Sequence, residues 1–353
     1  MKNLLPGVPL IESPFFDALF PQTGADAETT RIAADLRQKG YAVLDFPDPD
    51  FHQLADHIIK VLNDRYDWAE WRREPKGSLR IQDAWQFEPA VRRLAANERI
   101  RQILDTVFGR RAFPFQTLNF AVGTQQHVHC DDIHFSCVPE GFMCGVWTAL
   151  EDIDENNGPL IYYPGSHTWP DFRNEHIGIN GQHFGSPTEH YQRYLDLWDA
   201  MIEQYKAPPE RFFAKKGQTL IWLSHLLHGG DKQNDLQRTR HSLVTHYYFE
   251  GCTYYTPIQS DPFYGTIAFR ELTDITTGTP TPNSISGHPV PRRFIREAKL
   301  GIRDTDDAPA DGSLPPDFDP VRYLQLNPDV AQAKADPKQH YLANGFRERR
   351  RWR

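Results

Sequence analysis

The feature that most constrains the fold of this 353-residue chain is a change of pattern near Ala112. Before it, apolar residues recur at helical spacing, whereas the next 140 or so residues form short β-prone runs separated by Gly, Pro, Asn and Asp. With 28 prolines and 23 glycines, many turns are expected. The pattern is typical of a β-sandwich or jelly roll, so we predict a mainly β fold with flanking helices. The β-prone runs are FPFQTLNFAV, FMCGVWTALEDI, PLIYYPGS, QTLIWLSHLL and HSLVTHYYFE.

Helices are predicted where polar capping residues precede apolar residues at helical spacing. Segment 168–190 has no clear periodicity, and a long irregular insertion of this kind is often a lid or binding loop. The predicted helices cover residues 25–38, 50–65, about 89–108 and about 191–205, and YAVLDF at 41–46 is predicted as a strand.

The C-terminal part differs in composition from the rest. We predict a β domain with its N-terminal helical flank over residues 1–298, an acidic, proline-rich linker over 299–317, and a small helical module over 318–353. Apolar residues that could line a two-helix unit in this module are Tyr323, Leu324, Val330 and Tyr341.

Charge and the first residues limit the possible partners. A net charge of -8 gives no positive field for nucleic acid or an anionic membrane surface. Pro6 and Pro9 interrupt the apolar stretch that follows Lys2, which fits neither a secretory signal nor a spanning helix. We therefore expect a cytoplasmic protein that acts on a small molecule, with no nucleic-acid partner and no stable membrane insertion.

The motif QQHVHCDDIHF carries the first candidate metal ligands. His129 and Asp131 are two residues apart, and on a strand that spacing points both side chains to one face. His228 follows a β-prone run 97 residues after Asp131 (228 − 131) and supplies a third ligand. Two histidines and one carboxylate leave three positions open on an octahedral ion, as non-haem iron(II) requires to bind a keto acid and dioxygen.

Each proposed ligand has a neighbour of the same type. His127 would share a strand face with His129, Asp132 lies next to Asp131, and His225 precedes His228 by three residues. His228 is favoured over His225 because two glycines follow it.

A cosubstrate anchor is predicted 12 residues after His228 (240 − 228). Arg240 opens the alternating run RHSLVTHYYF. Its guanidinium could bind the far carboxylate of 2-oxoglutarate through two parallel hydrogen bonds, a geometry that lysine cannot reproduce. Asn119 and Gln125 precede the metal motif on a predicted strand and His134 follows it, so we include all three among the candidate pocket residues.

Together these motifs resemble the phytanoyl-CoA dioxygenase family of 2-oxoglutarate oxygenases over roughly residues 35–250. The resemblance rests on His129-x-Asp131, GVWTALEDIDENNGPLIYYPGSH, His228-Gly-Gly and Arg240. It implies a double-stranded β-helix with iron(II), 2-oxoglutarate and dioxygen. In that case His129, Asp131 and His228 would be the catalytic metal ligands and Arg240 the cosubstrate anchor.

The resemblance also implies a pocket role for Trp147 and shows one departure. Gly230 stands where family members often have a serine that bonds the cosubstrate. The missing hydroxyl could come from Thr117, Thr245 or Ser242, and the sequence does not choose between them. Because Asp131 is present, the resemblance favours hydroxylation over halogenation.

The last residues resemble a second kind of protein. The segment FDPVRYLQLNPDVAQAKADPKQHYLANGFRERR resembles a short module at the ends of bacterial proteins encoded with surface-polysaccharide enzymes. This resemblance favours a sugar or glycan precursor as substrate. The alternatives are a non-catalytic protein that binds metal or carbohydrate and a zinc hydrolase. Arg240 argues against the first, and the lack of a glutamate at a motif-like spacing argues against the second.

Overall fold

The computed structural model describes residues 2–75, 79–179, 187–262, 265–291, 295, 313–315, 318–345, 350 and 352. The chain divides into two compact units, Met1–Ile258 with Arg270–Val290, and Gln259–Phe269 with Pro291–Arg353. Most of the predicted linker lies outside the described residues, so the domain limits derived from the sequence stay a prediction.

Helices precede most of the strands along the first unit. Its α-helices are α1 (Phe16–Leu19), α2 (Ala27–Lys39), α3 (Phe51–Leu62), α4 (Trp68–Arg73), α5 (Pro89–Ala95), α6 (Glu98–Phe108) and α7 (Pro187–Tyr205). The predicted helix at 89–108 is thus two helices, and α4 was not predicted. Within the described ranges, no helix combines the length and the apolar character needed to cross a membrane.

The first unit also contains many short strands, joined by loops and 3-10 turns. They are β1 (Tyr41–Asp45), β2 (Arg80–Gln82), β3 (Ala112–Phe120), β4 (Ser136–Val138), β5 (Met143–Ala149), β6 (Leu160–Tyr162), β7 (Glu210–Phe212), β8 (Gln218–Leu223), β9 (His228–Gly230), β10 (Ser242–Phe249), β11 (Thr253–Tyr255), β12 (Leu272–Asp274), β13 (Thr279–Thr281), β14 (Ser284–Ile285) and β15 (His288–Pro289).

Two antiparallel sheets enclose the inner core. One has six strands in the order β1-β8-β5-β10-β3-β2, and the other has three in the order β7-β6-β9. Alternation along the strands sends one set of side chains inward. This is the predicted jelly-roll, double-stranded β-helix core. The apolar cluster between the sheets includes Phe120, Trp147, Leu220, Trp222 and Val244 from the larger sheet and Leu160, Tyr162 and Phe212 from the smaller one.

The outer face of the larger sheet is covered by the N-terminal helices. Leu243, Val146 and Ile221 point outward and share one cluster with apolar residues of the helices. Local signals fix the ends of α2: the side chain of Asp26 accepts from the Thr29 N–H, and Gly40 ends the helix with a φ of 83°. The helices therefore leave the inner face to the site.

The C-terminal unit has a small core of its own. Short helices α8 (Pro320–Leu326), α9 (Pro328–Gln332) and α10 (Pro337–His340) each begin with a proline, and a π-helical turn follows at Tyr341–Gly345. Three short helices thus replace the predicted pair. The core residues are Tyr323, Val330, Tyr341 and Trp352, and Leu324 is partly buried against them.

Candidate metal centre

The two candidate histidine ligands are joined through their backbones. The N–H of His129 donates to the carbonyl of His228 at 2.8 Å, and the N–H of His228 donates to the carbonyl of His129 at 2.9 Å. His228 begins β9, whereas His129 lies in the segment that follows β3. This isolated pair of ladder bonds places the two imidazoles with ring centres 4.6 Å apart.

Both imidazoles are oriented in the same way. The Nδ1 of His129 lies 2.9 Å from the carbonyl of His127, and the Nδ1 of His228 lies 3.0 Å from that of Leu226. A ring nitrogen bonded to a carbonyl carries the proton, so each Nε2 keeps its lone pair. Both histidines are therefore prepared to bind a cation through Nε2.

Asp131 completes the triad. Its carboxylate oxygens lie 3.8 Å from the Nε2 of His129 and 3.9 Å from that of His228. Asp131 begins a 3-10 turn rather than lying on the predicted strand, and its N–H donates to the carbonyl of Ser224 at 3.0 Å. Extended backbone at Cys130 (φ -113°, ψ 150°) nevertheless brings the side chains of His129 and Asp131 together.

Protonation suits metal binding. Burial, and then the neighbouring His228, lower the pKa of His129 to about 3, so this ring is neutral at pH 7. Burial alone would raise the pKa of Asp131. The nearby histidines, His228 first, and the indole N–H of Trp222 outweigh that effect and keep its pKa below the usual value. Two imidazoles with free lone pairs and a carboxylate form a donor set that suits iron(II).

The sequence analysis missed three side chains beside the triad. Trp222 donates its indole N–H to Asp131 at 2.8 Å, and the Nε2 of His246 lies 3.7 Å from the same oxygen. The side-chain amide of Gln126 lies 3.3 Å from the Nε2 of His129. The alternation along β8 and β10 could have suggested Trp222 and His246, since both occupy inward positions.

The alternative ligands lie elsewhere. His127 is exposed and lies 3.1 Å from Asp199. Asp132 and His225 form a second group with Asp171, whose ligand atoms lie within 4.8 Å of one another. Arg173 pairs with both carboxylates of this group, at 2.9 Å from Asp171. A guanidinium thus already supplies the positive charge there.

Arg240 lies buried on the inner side of the larger sheet. Its Nη1 donates to Ser242 at 2.8 Å, and its guanidinium lies 5.7 Å from the ring centre of Trp147 and 5.9 Å from that of Phe120. Burial lowers the pKa of Arg240 to about 10, which leaves it protonated at pH 7. Among the described residues, its Nε and Nη2 and the Nε1 of Trp147 have no hydrogen-bond partner.

The unpaired donors at Arg240 and Trp147 show what kind of molecule the pocket can bind. A buried N–H without an acceptor costs about 1–3 kcal/mol, and the unpaired Nε and Nη2 of Arg240 together with the Nε1 of Trp147 form a site for an anion. An anion that also offers oxygen ligands to a cation at the triad would satisfy both features. The residues present therefore fit a metal-bound keto acid.

Other candidate pocket residues are placed differently. Thr117 pairs with Thr245 across β3 and β10, whereas Gln116 pairs with His246. Opposite residues in a ladder point to one face, so Thr117, Asn119 and Thr245 point away from the triad. The strand register therefore argues against a direct contact between these three side chains and the cosubstrate. Of the three hydroxyls considered, Ser242 is the one on the inner face.

The segment 121–128 connects Arg240 to the triad. The N–H of Arg240 donates to the carbonyl of Ala121 at 2.9 Å. Gln125 is half-buried with a left-handed backbone (φ 47°), and its neighbour Gln126 is the residue that reaches His129. A Cβ on Gly230 would lie 2.2 Å from the hydroxyl of Thr124, so Thr124 fills the space that a serine at position 230 would need.

The sequence of the chain is similar to that of a known protein family. The family model "Phytanoyl-CoA dioxygenase (PhyH)" matches residues 25–242. The peroxisomal phytanoyl-CoA dioxygenase of Rattus norvegicus is 29% identical over 138 residues, which cover 37% of this chain and 36% of the relative. The Homo sapiens enzyme is 28% identical over 138 residues, with the same shares of 37% and 36%. The chain thus spans about a third of the length of these curated relatives.

Two solved structures are similar to part of the chain. The α-ketoglutarate-dependent epimerase SnoN from nogalamycin biosynthesis is 18% identical, with a TM-score of 0.49 over 65% of this chain and 85% of that chain. EctD from S. alaskensis with bound Fe is 18% identical, with a TM-score of 0.46 over 64% of this chain and 77% of that chain.

Proposed function

The chain belongs to the phytanoyl-CoA dioxygenase family of iron(II)- and 2-oxoglutarate-dependent oxygenases, and from this premise we propose that it hydroxylates an unactivated C–H bond of a small molecule. The observation that carries the proposal is the set of unpaired N–H groups at Arg240 and Trp147 on the inner side of the sheet, together with a His-Asp-His triad whose ligand atoms lie within 4.8 Å of one another. A protein that only binds metal has no need for such an anion site.

The roles of the residues follow from their positions. His129, Asp131 and His228 would hold iron(II), and Arg240 would bind the far carboxylate of 2-oxoglutarate, aided by Trp147. The bound pair would supply the oxidising chemistry, in which dioxygen converts 2-oxoglutarate to succinate and carbon dioxide and one oxygen atom enters the substrate C–H bond. Trp222 and the backbone bonds of both histidines keep the ligands oriented.

Helix α7 would cover the site from one side. Asp199 bonds to His127, and the ring of Tyr191 lies 5.3 Å from that of His134. Such a cover excludes water, which would otherwise compete for the reacting centre. The predicted lid at 168–190 ends at this helix, and its residues 180–186 lie outside the described part of the chain.

We further propose a sugar or glycan precursor as the substrate and a cytoplasmic location. The support for the substrate is the resemblance of the C-terminal segment to modules of surface-polysaccharide proteins. This part of the proposal is independent of the metal chemistry, and a substrate screen tests it separately.

The main test is an anaerobic titration of the metal-free protein with iron(II) and 2-oxoglutarate, followed through the weak visible charge-transfer band of the chelate. His228→Ala should abolish the band, and Arg240→Ala should demand at least ten times more 2-oxoglutarate. Arg238→Ala is the matched control on a half-exposed arginine that bonds to Asp154, and it should behave as the wild type. Iron binding without a band would instead favour a non-catalytic metal-binding protein.

A further inference from the structure

A second guanidinium lies near the triad and carries an unbalanced charge. Arg270 precedes β12, and its backbone is held by an N–H bond to Tyr254 at 2.9 Å and by the side-chain amide of Asn283 at 3.1 Å. In the described ranges, no carboxylate lies within ion-pair distance of this half-buried guanidinium. A charge removed from water without a counterion is costly, which indicates that a partner is missing.

The hydrogen bonds of Arg270 leave part of the guanidinium unused. Nη1 donates to the hydroxyl of Thr256 at 3.2 Å and to the carbonyl of His134 at 3.5 Å, whereas the buried Nε has no partner among the described residues. If Arg270 only stabilised the loop through its bond to the carbonyl of His134, there would be no reason for its Nε to be buried without a hydrogen-bond acceptor. The unused edge can still bind an oxyanion.

An aromatic layer separates Arg270 from the metal ligands. Its guanidinium lies 4.7 Å from the ring centre of Phe135 and 5.8 Å from that of Phe115. These rings lie 4.9 Å and 6.0 Å from the ring of His246, which contacts Asp131. Phe115 occupies the register shift between β3 and β10, and such a bulge redirects a side chain.

Arg240 and Arg270 lie at different ends of β10 relative to the triad. Arg240 bonds to Ser242 at the start of the strand, whereas Arg270 lies beyond His246, four residues further along. Four residues of a strand span about 13 Å. A keto acid held by Arg240 would therefore lie away from Arg270, which is left for a different anion.

We propose that Arg270 binds an oxyanion, a carboxylate or a phosphate, of the primary substrate. The inference rests on the proposed function and narrows its substrate class to small acids and phosphate esters. Sugar acids and sugar phosphates belong to this class, and neutral glycans do not. The planar guanidinium can offer two N–H groups to one oxyanion, and this geometry is lost with lysine.

The test uses the full chain loaded with zinc(II), because the zinc form does not catalyse the oxidation of 2-oxoglutarate. Saturating 2-oxoglutarate is added so that the anion site at Arg240 is filled. Calorimetric titration with benzoate and with phenyl phosphate compares the two oxyanions, and benzyl alcohol is the neutral control. At least one oxyanion should bind to the wild type, and benzyl alcohol should not. Arg270→Ala should weaken that binding about 10- to 100-fold.

Arg270→Lys keeps the charge and most of the packing, and it should still bind at least several-fold more weakly than the wild type. Arg238→Ala, on an arginine bonded to Asp154, is the matched control and should leave binding unchanged. Melting temperatures identify any variant that fails to fold. The relative affinity for benzoate and phenyl phosphate decides whether the natural group is a carboxylate or a phosphate.

The proposal is overturned if neither oxyanion binds to the wild type or if Arg270→Ala and Arg270→Lys bind as the wild type does. Failure of the proposed function gives a different result, because it removes the charge-transfer band of the wild type while zinc-form binding remains measurable. An intact band in Arg270→Ala together with lost oxyanion binding supports the inference.

Discussion

The indole of Trp222 offers a sharp test of how the metal centre is supported. Its N–H donates to Asp131 at 2.8 Å, its ring centre lies 4.6 Å from that of His228, and only 2% of the residue is exposed. Trp222→Phe keeps an apolar ring in the core but removes the donor. We expect this change to weaken metal binding rather than to abolish folding.

The magnitude follows from the type of bond. A hydrogen bond to a charged group contributes about 1.5–3 kcal/mol, and about 1.4 kcal/mol corresponds to a factor of ten in affinity. Without the indole, the carboxylate of Asp131 has lost its neutral donor and is less firmly oriented between the two imidazoles. The affinity for iron(II) should therefore fall about 10- to 100-fold, as is usual when an outer partner of a ligand is removed.

The assay is competition of the metal-free protein with a chelating dye for zinc(II), repeated anaerobically with iron(II). Trp68→Phe is the control, because its indole N–H also donates a hydrogen bond, but to the backbone carbonyl of Asn63 at 2.9 Å in the helical flank. An affinity of Trp222→Phe within twofold of the wild type, with an unchanged melting temperature, would refute the reasoning.

Three further predictions concern other parts of the first unit. Gly230→Ser places a Cβ 2.2 Å from the hydroxyl of Thr124 and 2.8 Å from the backbone nitrogen of Gln125, so the free energy of unfolding should fall by about 1–3 kcal/mol, and the additional change Thr124→Ala should restore only part of it because the backbone contact remains. The bond from the Thr29 N–H lowers the pKa of Asp26 below 3.8, so its stabilising effect is complete above that pH and is lost as the pH falls further; Asp26→Asn should remove this pH dependence from acid unfolding curves. Zinc(II) at 100 times its Kd should stabilise the wild type by about 2.7 kcal/mol in thermal unfolding, and a similar gain in His129→Ala would contradict the ligand assignment.

The triad was predictable because its signals are local. His129 and Asp131 need only one extended residue between them to point to the same side, and this holds although Asp131 lies in a turn. His228 and Arg240 follow at spacings that the family resemblance supports. The β-rich fold was predictable from the alternation of short runs, and it is confirmed.

The sequence says less about strand register and about neighbours in space. Thr117 and Asn119 lie on a correctly predicted strand, but the sequence does not say which of its two faces meets the metal. A shift of one residue exchanges the faces, and Gln116 occupies the inward position instead. Arg270 lies 30 residues after Arg240 (270 − 240), and no spacing rule connects it to the triad.

The backbone pair between His129 and His228 has a consequence for folding. These residues are 99 positions apart (228 − 129), and the pair exists only when β9 has docked beside the segment that follows β3. Of the three candidate ligands, only His129 and Asp131 are close together in the sequence, so an unfolded chain brings only these two near each other. We therefore expect the ion to bind after the long loop has closed, so that its rate of uptake during refolding would report when that closure is complete.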